Sequence, residues 1–462
     1  MRPALLSVGA AALLAGCIHA PPKAIEKGDV PDKWTGAQVA QGSAWPTRDW
    51  WKGFSSKELE SLLYEAEANS FDTRTAALRV VQAEAQVTSA GSTLWPTLSA
   101  QAGETQSGNF HPNTGSSRKS FNASLGFNYE VDIWGQNLAG RRSAVATLAA
   151  TRFDQAAVGL ATASGVATAY VEILSLRDQI KVAQADLDIA NQTLKLIQSR
   201  VTNGAAPPSD LINQQAAVAR QAASIPPLVQ QERSTLASLA ILVGRPSSGF
   251  DVEGQSLDAL AIPSVAPGLP SELLVRRPDV AEAEAQLRSA SADLDAARAA
   301  FFPVIDLTGS SGNVSTALSN LFRLGTATWT AGGTIAETIF DAGRRGAAAK
   351  NAKAQESVLV LAYRKAVLSA FSEVDVTLSS VDTLAQERKE VDIEVASARE
   401  AYRLAQIQYR EGATDLTTVL QAQSTLFSAE DQLTQVKLQQ AEAAIELYRA
   451  LGGGWDRSQV KT

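Results

Sequence analysis

Cysteine is almost missing: Cys17 is the only one, so no disulfide framework can staple this fold. Histidine is nearly as scarce, with only His19 and His111. The chain therefore has no set of zinc ligands. It also lacks a Gly-rich phosphate loop and a nucleophile motif, so it does not read as an enzyme, and neither metal nor cofactor is expected. Aromatics make up 6% of residues and Met1 is the only methionine. That composition suits Ala-rich helices packed closely side by side better than a thick globular core. Basic residues are not in excess: the net charge is −7 and the pI about 5.2, so no nucleic-acid partner is expected.

The chain opens with Met1-Arg2, an apolar run from Ala4 to Leu14, and then Ala15-Gly16-Cys17. One positive charge, a short apolar run and small residues make a secretory signal over 1–16, too short to span a membrane as a helix. Cys17 after Leu-Ala-Gly is the lipobox pattern of bacterial lipoproteins. A covalent lipid on Cys17 would assist anchoring without securing it alone. Ile18, rather than an aspartate, fits sorting to the outer membrane. The alternative is an ordinary signal peptide with an incidental cysteine.

What the rest of the chain has in plenty is repetition. Arg276-Arg277-Pro278-Asp279 starts an Ala-rich helical run that stops at Phe301-Phe302-Pro303, after which Ile305 and Leu307 alternate with Asp306 and Thr308. An echo runs from Asn69 through Asp72 to Leu94-Trp95-Pro96 and an alternating Leu98, Ala100 and Ala102. Setting Pro96 on Pro303 shifts the chain by 207 residues and puts Asp72 on Asp279, which predicts a duplicated helix-to-strand unit. Alternation is sharpest over Phe121 to Ile133, a pattern shared by membrane-barrel strands and half-buried strands of a soluble sheet. Weaker copies at Thr97–Thr105, Val304–Gly309 and Thr328–Ile339 give four strands in two hairpins. Their connections, Asn109–Lys119 and Asn313–Thr326, are polar. Four strands cannot close a membrane barrel, which needs about eight, and open edges in lipid leave backbone groups unsatisfied. More than one copy must therefore pool strands.

Long helices fill the remainder. Val419, Leu426, Leu433, Gln440 and Leu447, with Ala422, Ala429, Val436, Ala443 and Ala450, form a heptad seam broken only by Gln440. Leu384, Val391, Val395, Ala398, Tyr402, Ala405 and Tyr409 keep four-three spacing before it. Arg141–Thr202 would span roughly 93 Å of helix, and Asp210–Val243 stacked on Asp279–Phe301 roughly 86 Å. Two short helices can thus line one long one. The turns between long and return helices, Asn203-Gly204 to Asp210 and Gly412 to Asp415, pair a glycine stop with an aspartate start.

These residues resemble the TolC-like outer membrane factors, in particular the lipoprotein branch of OprM- and NodT-type efflux proteins. The shared pieces are Trp50-Trp51 then Phe54, Ile225-Pro226-Pro227-Leu228, and Pro267-Gly268-Leu269-Pro270 then Leu273-Leu274 before Arg276-Arg277-Pro278-Asp279. Further ones are Ala299-Ala300-Phe301-Phe302-Pro303, Ile339-Phe340-Asp341 then Gly343-Arg344, and Tyr409-Arg410 then Gly412. Thr338 departs from the pattern, where that family often has proline. The resemblance implies a mainly α fold with a membrane β part: three protomers sharing a twelve-stranded transmembrane barrel, an α-barrel tunnel of long antiparallel helices, and a small mixed equatorial belt. It treats Pro226-Pro227 as a kink. It places Asp415 at the constricted inner mouth, where three copies would form an acidic ring that favours cations and raises local proton affinity. It makes Tyr409 and Arg410 candidates for the bonds that hold the mouth shut, with Asp210 as a further gate candidate or simply a helix cap. Gly204 and Gly412 become tips for a periplasmic adaptor. Arg276 and Arg277 are expected to pair with carboxylates in the belt, as structural residues.

The expected organisation is a signal at 1–16, a lipidated arm at 17–55, a first repeat at 56–244, a connector at 245–275, a second repeat at 276–452 and a tail at 453–462. Strands fall at about 97–108, 120–133, 303–312 and 327–339, and one helix runs from Ser56 to Thr93. The functional expectation is a passive trimeric exit duct for drugs, metals or other small molecules. It would be driven by an inner-membrane pump through the adaptor and seated in outer membrane lipid. The rival reading is an elongated periplasmic coiled-coil structural lipoprotein.

Overall fold

The computed structural model describes residues 29–31, 34, 46–108, 117–263, 272–455 and 457. The signal segment 1–16, Cys17, His19, His111, the Pro267–Pro270 motif and most of the Asn109–Lys119 connection lie outside them. Elements run in chain order: α1 (Lys57–Asn69), α2 (Phe71–Ser92), β1 (Thr97–Gly108), β2 (Ser117–Glu130), α3 (Gln136–Thr202), α4 (Pro208–Leu242), α5 (Leu273–Arg276), α6 (Pro278–Ala299), β3 (Val304–Ser315), β4 (Ala327–Ala336), α7 (Arg344–Arg410) and α8 (Leu416–Ala450). The duplication is visible in their lengths. α2 and α6 have 22 residues each, α3 and α7 have 67, and α4 and α8 have 35.

The structure departs from the sequence reading at a helix break and at several strand ends, β4 among them, which stops at Ala336 rather than Ile339. The helix expected over 56–93 breaks at Ser70, whose extended backbone (ψ 135°) separates α1 from α2. The Ser70 backbone carbonyl accepts from Arg74 N at 3.1 Å and from Thr73 Oγ1 at 3.0 Å, which closes the first turn of the new helix. β2 begins three residues early and ends at Glu130 rather than Ile133. β3 reaches Ser315, which shortens the second connection. α4 runs through Pro226 and Pro227, both exposed, where water can satisfy the carbonyls that lose an N–H partner.

Two compact units emerge, and each draws on both repeats. One gathers Val81–Ala150 with Ala283–Lys365 and holds the four-stranded antiparallel sheet, ordered β1-β2-β3-β4. Directly opposed residues project to the same face. Leu98 faces Phe127, Ala100 faces Leu125, Leu125 faces Ser311, Tyr129 faces Leu307, and Ile305 faces Ile335. The other face carries Ser99 opposite Gly126, Gln101 opposite Ser124, Asn128 opposite Thr308, and Ser310 opposite Thr330. The register thus sorts the sheet into an apolar and a polar side. Toward the β1–β2 connection the apolar side gives way to an ion pair, Glu104 with Lys119 at 3.1 Å. A structural coiled coil has no use for such a sheet.

The other unit contains described residues of Gly28–Val80, Thr151–Glu282 and Ala366–Thr462. One core cluster joins Trp50, Trp51 and Phe54 to Leu59, Tyr170, Leu239, Val252, Leu257 and Tyr448, with Trp50 stacked on Tyr448 at 4.9 Å. A second joins Ile197, Val391, Val395, Tyr402, Val419, Leu426 and Val436, so the heptad seam is a buried one. Gln440, its polar interruption, donates to the Leu384 carbonyl at 3.1 Å. α3 is long and apolar enough to cross a membrane, but Val166, Val171, Ile173 and Leu174 sit in the first core, which accounts for that composition.

Candidate functional site

Three sets of residues stand out: the joints between strand and helix, the Arg277 cluster and the helical tips. At the first joint Asp132 accepts from Asn137 N at 3.0 Å and Leu138 N at 2.7 Å, capping α3, while Glu130 accepts from the Asn137 amide at 3.2 Å. The second joint repeats this scheme with a charge added. Asp341 accepts from Gly343 N and Arg345 N, and the Arg345 guanidinium reaches Asp341 at 2.9 Å, Glu337 at 2.8 Å and the Thr338 carbonyl. Gly135 and Gly343 turn each joint through positive φ, 75° and 85°. Trp134 stacks on Phe302 at 4.7 Å and donates to the Pro303 carbonyl at 2.7 Å, tying the exit of β2 to the start of β3. Pro96 and Pro303 stand immediately before β1 and β3. The sequence singles out these prolines and carries Asp341 in a shared motif, but the capping role of the two aspartates is visible only in the structure. What the sequence shows of it is an aspartate two or three residues before a glycine at each strand exit.

Pro278 opens α6 with Asp279 in its first turn. Arg277, 8% exposed, holds Asp279 at 2.7 Å, Glu373 at 2.6 Å and the Ala450 carbonyl at 3.0 Å. Burial pushes the Asp279 carboxyl up, but the Arg277 guanidinium outweighs it and leaves the group below the usual carboxylate range. Gly452, at φ 87°, lies so close that a Cβ there would meet the Arg276 carbonyl oxygen at 2.0 Å.

The two tips share one geometry. Gly204 and Gly412 take φ of 68° and 73°, and Ala205 N and Ala413 N reach back to the Arg200 and Gln408 carbonyls at 2.8 Å. These are αL helix stops, and only open space surrounds each glycine. The following aspartates are not equivalent. Asp415 is the N-cap of α8, its Oδ1 accepting from Thr418 N at 3.0 Å and Thr418 Oγ1 at 2.9 Å. Asp210 lies inside the first turn of α4, behind Pro207 as N-cap. The Thr418 backbone bond holds the Asp415 carboxyl below its ordinary range.

Tyr409 is buried, with the Arg200 guanidinium 4.5 Å over its ring and donating to its carbonyl. Its hydroxyl makes no hydrogen bond among the described residues. Burial raises its pKa, which the Arg200 charge offsets in part and the nearby Asp210 charge supports. The structure therefore brings Arg200, Tyr409 and Asp210 together. Asp415 stands apart with Thr418, and Arg410 is exposed with no hydrogen bond or ion pair among the described residues. Arg200→Ala is expected to cost about 1–2 kcal/mol, the worth of a desolvated cation–π contact, whereas Tyr409→Phe should leave the melting midpoint unchanged.

Comparison with known proteins identifies the family. The outer membrane efflux protein family model matches residues 62–245 and 269–453. The pyoverdine export outer membrane protein OpmQ of Pseudomonas aeruginosa is 37% identical over 97% of both chains. The toluene efflux pump outer membrane protein TtgC of Pseudomonas putida is 31% identical over 98% of this chain and 96% of its own. Among solved structures, the outer-membrane channel OprN aligns with TM-score 0.88 at 25% identity, covering 94% of this chain and 99% of its own. The open-state outer membrane channel MtrE of Neisseria gonorrhoeae aligns with TM-score 0.84 at 28% identity, over 95% and 98%. The chain therefore belongs to the outer membrane efflux protein family, the outer membrane channel components of efflux systems.

Proposed function

We propose that three copies form one duct, each lending four strands to a shared barrel. Cys17 would be lipidated, and an adaptor and inner-membrane pump would meet the tips at Gly204 and Gly412. The observation that carries this reading is the two-faced sheet, whose edge strands β1 and β4 have no partner among the described residues. A lipid-exposed edge leaves backbone groups unpaired at several kcal/mol each, so pairing β4 of one copy with β1 of the next removes the defect. The transport is passive, with the energy supplied by the inner-membrane pump. The cargo is a small molecule, in keeping with relatives named for pyoverdine, antibiotic and toluene export.

In this duct three Asp415 carboxylates ring the inner mouth. Asp415→Asn retains a side-chain oxygen to cap α8 but removes the charge, while Asp415→Ala removes both. In planar bilayers Asp415→Asn is expected to lower cation preference at unchanged melting temperature, and Asp415→Ala to lower both. Wild-type conductance with undiminished cation preference in Asp415→Asn would end the gate assignment. A purified chain that stays single-copy and non-conducting would end the duct itself.

A further inference from the structure

Inside the unit that holds the heptad seam, α3 carries a second stripe that the seam does not explain. Asp186, Thr193 and Arg200 recur seven apart and are all turned inward. Thr193 Oγ1 lies 3.2 Å from the Tyr402 hydroxyl, and Arg200 covers Tyr409, again seven residues further on. In two of these three layers the α3 side chain meets a neutral hydroxyl or a π face, although the Arg200 Nε and the Tyr409 hydroxyl are themselves left without a hydrogen bond among the described residues. In the third it does not.

Asp186 is 1% exposed, and its Oδ1 has no hydrogen-bond partner. It faces α8, where Glu430 is its side-chain hydrogen-bond partner and Asp431 adds a second like charge. α7 contributes Arg399, but that guanidinium pairs with Glu430 rather than Asp186. α4 meets this part of α3 through neutral amides, Gln214 donating to the Ala190 carbonyl at 2.8 Å and Gln221 to the Ala183 carbonyl at 3.4 Å. Two carboxyl groups in hydrogen-bond contact, one of them dry, cannot both be ionised without strong repulsion.

We propose that Asp186 and Glu430 share a single proton and form a buried proton-binding latch between α3 and α8. In the protonated state the pair is a neutral-to-ionic hydrogen bond that closes the helices. Loss of the proton leaves two facing carboxylates, which loosens this contact. The site does not depend on the Asp415 ring and stands or falls separately from it.

Burial first, and then Glu430 and Asp431, push the Asp186 carboxyl up to about 8. The native state thus keeps a proton that the unfolded chain releases at about pH 4. Stability from this site is full below about pH 4 and is lost as pH rises through about 8. The full-length protein in detergent should show a protonated-carboxyl band in infrared difference spectra that fades as pH is raised past 8. Asp186→Asn should lack that band, and its melting temperature should lose the part of the decline with pH that the wild type shows. Glu430→Gln removes the repelling charge, so the Asp186 band should fade at a lower pH than in wild type. A band that persists unchanged in Asp186→Asn, or a Glu430→Gln titration identical to wild type, would overturn the proposal.

Discussion

Arg277→Ala is expected to destabilise the protein by about 3 kcal/mol, toward the low end for breaking a buried ion pair. Arg277 is nearly dry, and its fork satisfies two carboxylates and the Ala450 carbonyl at once. Glu373 also receives Arg449 at 2.8 Å, so one carboxylate ties the start of α6 to α7 and the end of α8. Removing Arg277 strands the Ala450 carbonyl, while Asp279 and Glu373, both partly hydrated, recover some solvation. That recovery keeps the loss from being larger. Arg277→Lys should lose a substantial part of the same amount, because an ammonium cannot reproduce the bidentate contact with Asp279. Arg288→Ala is the control: its partner Glu284 is one helical turn away and Arg288 is exposed, so the change should stay within about 0.5 kcal/mol. Chemical denaturation in detergent would read all three. Asp279 sits below the ordinary carboxylate range in the native state. Its contribution is therefore present above about pH 4 and lost as pH falls further. The difference between wild type and Arg277→Ala should shrink in acid.

The fold was legible in the sequence wherever periodicity and punctuation agreed. Pro278 and Asp279 marked the start of α6 because proline lacks the N–H that a first turn leaves unused. The alternation from Phe121 fixed the face of every residue in β2. The 207-residue shift found the repeat before any helix end was known. Legibility ended where an outcome depends on partners distant in the chain. Ser70 ends a helix in the middle of a run whose local propensity is helical, and no residue type there announces it. Asp186 looks like any surface aspartate of a long helix until α8 is laid against it. Tyr409 stands beside the tip in the sequence, and only the packing shows its ring lying under Arg200 from α3. Asp210 and Asp415 both follow a glycine stop at a helix start, but the former is preceded by Pro207 at the cap and the latter is the cap itself. Side-chain chemistry names what a residue can do, and only packing decides which of those options is used.

Leu125→Arg should abolish assembly of the channel, whereas Ser124→Arg, one residue away, should not. Leu125 lies mid-strand on the apolar side, opposite Ala100 and Ser311, and Ser124 lies on the polar side opposite Gln101 and Gly312. An arginine on the lipid face of a barrel costs about 2–4 kcal/mol at the bilayer midplane. In an assembly of three copies that cost recurs in each, which exceeds what a marginally stable membrane assembly can absorb. The same side chain on the polar side projects into water and keeps its hydration. It should leave assembly and melting intact while lowering single-channel conductance, and it should move selectivity toward anions. Gly312 opposite leaves little clearance, since even a Cβ there would come within 2.5 Å of the Ser124 Cα, so the arginine must extend along the lumen rather than across the strand pair. Heat-modifiable migration on gels reports assembly, and bilayer recording reports conductance. If both variants assemble equally well, the two faces of this sheet do not separate lipid from water.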